Sequence, residues 1–174
     1  MHQLLLLRHA RSSPDDGILP DRERPLDQRG RRDIAAMRYG MRQLGLAPDL
    51  ILVSSATRTR QSLSALEPWD DTPLIETLDE LYLANEAKLL AVLHGVTDTV
   101  RSVLLIGHNP GMHELALALT DPHTVAPDPW ATMREGFPTA ALAEFSVNGP
   151  WSRLRAGRAI LRRFITPKML KTLD

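Results

Sequence analysis

The stretch Leu4-Leu5-Leu6-Leu7-Arg8-His9-Ala10-Arg11 passes from four apolar residues directly into a basic cluster. Two other apolar runs also end in clusters of basic or polar residues. Residues 50–53 lead into residues 54–58, and residues 103–106 lead into residues 107–111. Apolar runs of this length between turn signals are typical of buried strands in a parallel sheet. In an open α/β sheet, ligands bind outside the carboxyl ends of the strands. We therefore expect the three clusters to meet at one edge of the sheet.

The composition limits the kinds of protein that this chain can be. Its 174 residues contain 21 basic and 21 acidic side chains, a net charge of zero that argues against broad nucleic-acid binding. The absence of cysteine excludes disulfides, zinc–thiolate sites and a catalytic thiol. No apolar window is long enough for a membrane span, and the leading one is too short for a signal peptide. We expect a single domain over residues 1–174 in the cytoplasm.

Strands alternate with helices along the chain, which predicts βαβ units and a mostly parallel sheet. The predicted strands are 3–7, 50–53, 73–75 and 103–106. The predicted helices are 27–44 with Asp27 as its N-cap, 57–67, 86–94 and 110–119.

The last third of the chain has weaker signals. Segment 121–138 contains four prolines and no clear period, and it is predicted to be a long loop. Asn148-Gly149 predicts a hairpin between strands at 140–147 and 151–159. Residues 160–174 are expected to be irregular or helical.

Arg8 and His9 follow the first predicted strand. A neutral imidazole is a good nucleophile at physiological pH. Neighbouring guanidinium groups would hold the oxygens of a phosphoryl group and lower the pKa of His9 by like-charge repulsion. The alternative is a structural histidine that hydrogen-bonds to the backbone.

The other two clusters supply further groups for an anion. Arg58 falls in the first turn of a predicted helix, where backbone N–H groups also favour an anion. Ser54 and Ser55 add hydroxyl donors. His108 lies between Gly107 and a Pro-Gly turn, where it could donate a hydrogen bond to a phosphate oxygen.

The sequence also contains candidates for a proton donor and for metal ligands. Glu80 could protonate a departing oxygen if its pKa were raised, and Asp79 competes for that role. A metal site would combine His108 with His113 and Glu114, but this spacing differs from that of a zinc-binding helix, so no metal is expected.

Taken together, the ordered motifs resemble the histidine phosphatase superfamily, whose fold is that of the cofactor-dependent phosphoglycerate mutases. The Arg8-His9-Ala10 triplet is similar to the variant found in small phosphohistidine phosphatases of the bacterial SixA type, whereas Arg-His-Gly is commoner in the superfamily. The other matching segments are Arg24-Pro25-Leu26 with Gly30, 54–58 with Gln61, 78–82, 107–111 and 138–142.

The resemblance implies a three-layer α/β/α sandwich and a phosphohistidine intermediate, with no metal or cofactor. It implies that His9 is the nucleophile and that Arg8, Arg58 and His108 complete the phosphate pocket. Two further residues take family roles: Arg24 as an additional phosphate contact and Glu80 as the match to the proton donor of mutase-like members.

The short chain leaves little room for a substrate-enclosing cap, so we expect an open pocket that accepts phosphohistidine on a protein. An alternative substrate is a small-molecule or nucleotide phosphate monoester. A different class of function would be a non-catalytic module that binds an acidic partner or nucleic acid through its basic C-terminal stretch. Zero net charge favours a solvated basic face for that stretch, which contains Arg153, Arg155, Arg158, Arg162 and Arg163.

Overall fold

The computed structural model describes residues 1–171, and these residues form one six-stranded sheet. The strands are β1 (His2–Arg8), β2 (Leu50–Ser54), β3 (Leu74–Leu78), β4 (Ser102–Gly107), β5 (Leu142–Val147) and β6 (Ala159–Ile165). Their order in the sheet is β3-β2-β4-β1-β5-β6. Strands β3, β2, β4 and β1 are parallel, and β5 is antiparallel to both of its neighbours. The prediction of a mostly parallel sheet is confirmed.

Helices cover both faces of this sheet. They are α1 (Gln28–Gln43), α2 (Thr57–Leu66), α3 (Glu86–His94), α4 (Gly111–Leu119), α5 (Pro127–Glu135) and α6 (Pro167–Lys171). Side chains alternate across a strand, so Leu4 and Leu6 join the core under α3, α4 and α5, whereas Leu5 and Leu7 join the core under α1 and α2. The result is the expected three-layer α/β/α sandwich. No helix within residues 1–171 is both long and apolar enough to cross a membrane.

Two close backbone contacts hold helix starts against the site edge of the sheet. Asp27 caps α1 by accepting a hydrogen bond from the Gly30 N–H at 2.7 Å, as predicted. A Cβ atom on Gly30 would lie 2.0 Å from the Arg11 carbonyl oxygen, and one on Gly111 would lie 2.0 Å from the Ala84 carbonyl oxygen. Only glycine therefore allows α1 and α4 to begin at these positions.

The prediction of a long loop over 121–138 is wrong, because Pro127–Glu135 forms α5. Pro127 and Pro129 both lie in its first turn, where the backbone N–H groups have no intrahelical partner and proline costs little. Met133 on this helix is fully buried against the sheet. The prolines start a helix here instead of preventing one.

The predicted hairpin at Asn148-Gly149 is also wrong. Trp151–Arg153 forms a short 3-10 turn, and the Trp151 indole N–H donates to the Val100 carbonyl oxygen at 2.9 Å in the core. This burial draws the chain away from β5 after residue 149, and the antiparallel partner of β5 begins only at Ala159. Segment 160–174 is therefore a strand followed by α6, and its last three residues lie outside the described residues.

Candidate active site

The carboxyl ends of β2, β4 and β1 are adjacent in the sheet, and the residues that follow them converge. The centroids of the His9 and His108 rings are 5.2 Å apart. His9, Arg58 and His108 are each less than 7% exposed, and we call these three residues the floor of the site. Asp21, Arg22, Arg24 and Tyr82 are more exposed and surround the floor, and we call these four residues the mouth.

The orientation of the His9 ring is determined by one hydrogen bond. Its Nδ1 atom lies 2.7 Å from the Ala10 carbonyl oxygen, which can only accept, so Nδ1 carries the proton. The lone pair of the neutral ring is therefore on Nε2. Burial and, less strongly, the charges of Arg58 and Arg8 together lower the pKa of His9 to about 4, although the hydrogen bond to the Ala10 carbonyl opposes the shift. His9 is thus a neutral, oriented nucleophile at physiological pH.

His108 is held by Ser54, the last residue of β2. The Ser54 Oγ atom lies 2.7 Å from His108 Nε2 and accepts a hydrogen bond from the Ala56 N–H at 3.4 Å. The Ser54 hydroxyl can donate to Nε2 while its oxygen accepts from the Ala56 N–H, and in that arrangement the ring proton of His108 is on Nδ1. Burial first, and then His9 and Arg58, lower the pKa of His108 to about 3. His108 can act as a neutral hydrogen-bond donor through Nδ1.

Two buried side-chain nitrogens in this site have no partner among residues 1–171: His108 Nδ1 and Arg8 Nε. The other end of Arg8 is occupied, since its Nη1 donates to the Phe137 carbonyl oxygen at 3.0 Å. A buried donor without an acceptor costs about 1–3 kcal/mol. Burial and the nearby charge of Arg58 also lower the pKa of Arg8, as expected for cations that lack a bound anion. The arrangement therefore favours an anionic acceptor beside His9.

Arg58 reaches the floor from the first turn of α2. Its backbone carbonyl accepts from the Ser62 hydroxyl at 2.7 Å, and Ser62 Oγ accepts from the Ala10 N–H at 2.9 Å. These bonds link the start of α2 to the residue that orients His9. The Arg58 guanidinium donates to Asp21 twice, from Nη1 to the backbone carbonyl at 2.7 Å and from Nη2 to Oδ2 at 3.1 Å.

The mouth is centred on Asp21. Its carboxylate accepts hydrogen bonds from the Tyr82 hydroxyl, from Arg58 and from Arg24, whose Nη2 lies 2.7 Å from Asp21 Oδ1. These bonds, with Tyr82 contributing most, hold the pKa of Asp21 far below its usual range. Arg24 also donates to the Ser13 carbonyl oxygen at 2.6 Å, so it braces the loop before α1.

Arg22 fastens the same loop across the site. Its guanidinium donates to Ser55 and Asp79, and its Cζ lies 5.2 Å from the centroid of the Tyr82 ring. The bond with Ser55 and the charge of Arg22 lower the pKa of Asp79. Asp79 is therefore an ionised partner of Arg22.

The structure does not bring Glu80 to the floor. Its carboxylate lies 3.9 Å from Lys88 Nζ, and its side chain lines a groove between β3 and α3. Sequence reasoning assigned no role to Asp21 or Tyr82. An acidic residue three positions before Arg24 was the available signal for Asp21, because that spacing allows an ion pair within one turn.

The residues considered for other functions lie apart from the floor. His113 donates from Nε2 to the Met133 carbonyl oxygen at 2.8 Å, which ties it to α5. Within residues 1–171 there is no group of three His, Asp or Glu side chains placed to hold a metal ion. In the basic stretch, Arg163 pairs with Glu144, and Arg162 donates to Ser146 at 2.8 Å.

Comparisons with known proteins agree with this fold. No family model matches the chain. An uncharacterized protein of Mycobacterium tuberculosis is 33% identical over 162 residues, which cover 93% of this chain and 100% of that protein. A solved structure from Nakamurella multipartitia, named as a phosphohistidine phosphatase SixA, matches with a TM-score of 0.82 and 27% identity over 95% of this chain and 96% of that chain. A structure of the same name from Agrobacterium tumefaciens has a TM-score of 0.78 and 28% identity, covering 95% and 98% of the two chains.

Proposed function

The chain belongs to the histidine phosphatase superfamily, in its SixA-type branch, and is a phosphatase that works through a histidine intermediate; we propose that its substrate is phosphohistidine on a protein. The observation that carries this proposal is the combination of an oriented, unprotonated His9 Nε2 with two unpartnered donors, Arg8 Nε and His108 Nδ1. A nucleophile with two nearby donors suits the phosphorus atom and equatorial oxygens of a phosphoryl group.

In the proposed reaction, His9 Nε2 attacks phosphorus in line with the leaving group. Negative charge on the equatorial oxygens is stabilised by Arg8, Arg58 and the His108 Nδ1–H. The Nδ1–H bond to Ala10 stabilises the positive charge that develops on the His9 ring once Nε2 is phosphorylated. Water then attacks phosphorus and releases inorganic phosphate.

The carboxylates near the floor support phosphohistidine over a phosphate monoester. An alkoxide is a poor leaving group and requires a proton donor. Asp21 has a strongly lowered pKa and cannot supply one, and Glu80 is paired with Lys88 away from the floor. A phosphohistidine ring can already carry the proton that it needs to leave as neutral imidazole. The site is therefore better suited to cleaving a P–N bond.

Exposed apolar residues on both sides of the mouth support a protein substrate. Ile18 and Leu19 precede Asp21 in the loop, Leu83 follows Tyr82, and all three side chains are exposed. Asp21 and Tyr82 are hydrogen-bonded, so the two apolar groups flank the same opening. Exposed apolar side chains beside a site are typical of a surface that binds another protein.

The proposal is tested by measuring kcat/KM of the purified protein on phosphohistidine-containing protein and peptide and on a panel of sugar and nucleotide monoesters. We expect phosphohistidine on protein to be preferred by about 100-fold or more, the scale of acid assistance that a monoester would need. A higher kcat/KM for any monoester would contradict the proposal and favour the small-molecule alternative.

A further inference from the structure

The carboxylate of Asp21 occupies an unusual position for an anion in a phosphate-binding site. It contacts Arg58, which is 3% exposed on the floor, while the Asp21 side chain itself is 36% exposed. Arg58 therefore connects the floor to Asp21. The carboxylate is ionised, because its hydrogen bonds from Tyr82, Arg24 and Arg58 favour the charged form.

The direction of the reaction places the leaving group near Asp21. In-line attack requires the nucleophile and the leaving group to be on opposite sides of phosphorus. Since His9 is buried on the floor, the departing group faces the mouth, where Asp21 is the carboxylate bonded to a floor residue. The charged and titratable groups around Asp21 are Arg24 from its own loop, Arg58 from α2, Tyr82 after β3 and His108 after β4.

The chemistry of phosphohistidine gives an ionised carboxylate at this position a function. The ring leaves readily only when the nitrogen that is not bonded to phosphorus carries a proton, since the product is then neutral imidazole instead of imidazolate. A carboxylate that accepts a hydrogen bond from that N–H stabilises the protonated ring. A phosphate monoester has no equivalent N–H, and the same carboxylate only repels its leaving oxygen.

We propose that Asp21 is a catalytic residue that selects phosphohistidine by accepting a hydrogen bond from the distal N–H of the leaving imidazole. This bond replaces one of the two longer bonds to the Asp21 carboxylate, those from Arg24 Nε and Arg58 Nη2 at 3.1 Å. This inference rests on the proposed function. His9 Nε2 forms a bond to phosphorus as the substrate P–N bond breaks, and the electron pair of that bond returns to the substrate nitrogen. The substrate ring leaves neutral and keeps its distal proton.

The second step restores the enzyme. Phosphorylated His9 carries Nδ1–H and is cationic, and water adds to phosphorus as the electron pair of the P–N bond returns to Nε2. Both water protons remain on the product as dihydrogen phosphate. Atoms and charge balance without a metal or another reactant, and Asp21 neither gains nor loses a proton overall.

The test compares Asp21→Asn with wild-type protein on two substrates, a phosphohistidine peptide and p-nitrophenyl phosphate, whose leaving group needs no proton. We expect the ratio of kcat/KM on the peptide to kcat/KM on p-nitrophenyl phosphate to fall by about 100-fold at pH 8. The decrease of this ratio in Asp21→Asn should be smaller at pH 6 than at pH 8, because solvent then protonates the substrate ring. Glu23→Gln, an equal change of charge at an exposed position two residues away, is the matched control and should keep the ratio.

The possible results distinguish a catalytic Asp21 from an Asp21 that only positions Arg58, and both from a failure of the proposed function. An unchanged ratio with equal losses on both substrates would overturn the inference, since Asp21 would then only position Arg58. An unchanged ratio with full activity would overturn it as well. Failure of the wild-type protein to hydrolyse the peptide while p-nitrophenyl phosphate is hydrolysed would instead contradict the proposed function. Asp21→Glu, which keeps the carboxylate, should recover part of the ratio and shows that loss in Asp21→Asn does not come from misfolding.

Discussion

The floor and the mouth of the site are held by different interactions. On the floor, His9 and His108 are oriented by buried hydrogen bonds to Ala10 and Ser54. In the mouth, exposed ion pairs such as Arg22 with Asp79 fasten a loop that precedes α1. Buried bonds keep their geometry, whereas exposed ion pairs contribute little and are screened by salt. We therefore propose that the floor performs phosphoryl transfer and that the mouth determines which leaving group is accepted.

The largest effect should come from removing the floor nucleophile. His9→Ala is expected to reduce phosphatase activity by about 10⁴-fold or more, because no intermediate can form. Wild-type protein given labelled substrate should show acid-labile phosphate on His9, with and without EDTA, and the variant should show none. His123→Ala, in an exposed segment, is the control. Activity that survives in His9→Ala, or that EDTA removes and zinc restores, would show that the floor works by another mechanism.

Removing charge from the floor should have the next largest effect. Arg58→Ala is expected to lower kcat on every phosphate substrate by about 10²–10³-fold, the usual result of losing one donor to the transition state. Arg60→Ala removes an equal charge from an exposed position two residues along α2 and should change kcat little. If the two variants lose the same activity, general positive charge and not the buried floor geometry is responsible.

Burial of the floor should also appear in the stability of the protein. Folding lowers the pKa of His9 to about 4 and that of His108 to about 3, so below about pH 6.5 the unfolded chain binds protons that the native floor excludes. The free energy of unfolding should therefore decrease as the pH falls from about 6.5 to about 4, with each ring contributing about 1.4 kcal/mol per pH unit.

Urea unfolding followed by fluorescence at pH 7, 6 and 5 measures this decrease. The His9→Gln variant lacks one titrating ring, so its free energy of unfolding should depend on pH less steeply, by the contribution of one proton. His123→Gln should leave this pH dependence unchanged. Parallel curves for wild type and His9→Gln would mean that His9 is not held neutral by burial.

The smallest effect is expected outside both regions. Glu80→Gln should change phosphohistidine hydrolysis by no more than about twofold, since the Glu80 carboxylate is half-exposed and pairs with Lys88. The assay compares kcat on phosphohistidine peptide with kcat on p-nitrophenyl phosphate. A selective loss on the peptide would place Glu80 in the mouth and contradict the division between the two regions.

Much of the floor could be predicted from the sequence because a parallel sheet places the carboxyl ends of its strands at one edge. The floor residues His9, Arg58 and His108 follow three apolar runs, as does Arg8 beside them, and those runs became the adjacent strands β1, β2 and β4. The bounds of α3 and the Asp27 cap of α1 also follow from local patterns. Local signals failed where burial of a single side chain, Trp151, redirected the chain.

Residue types and their order along the chain thus determined the layers, the strand ends and the identity of the floor, since these depend on short-range apolar patterns. Only the tertiary structure decided which ring nitrogen of His9 is free and which carboxylate faces Arg58. In the 3-10 turn Asp79–Leu81, successive side chains point about 120° apart. Burial of Leu81 therefore directs Glu80 toward Lys88. The carboxylate beside the floor is instead that of Asp21, which lies in a loop nearly sixty residues earlier in the chain. Such long-range contacts arise from packing, which no local pattern in the sequence encodes.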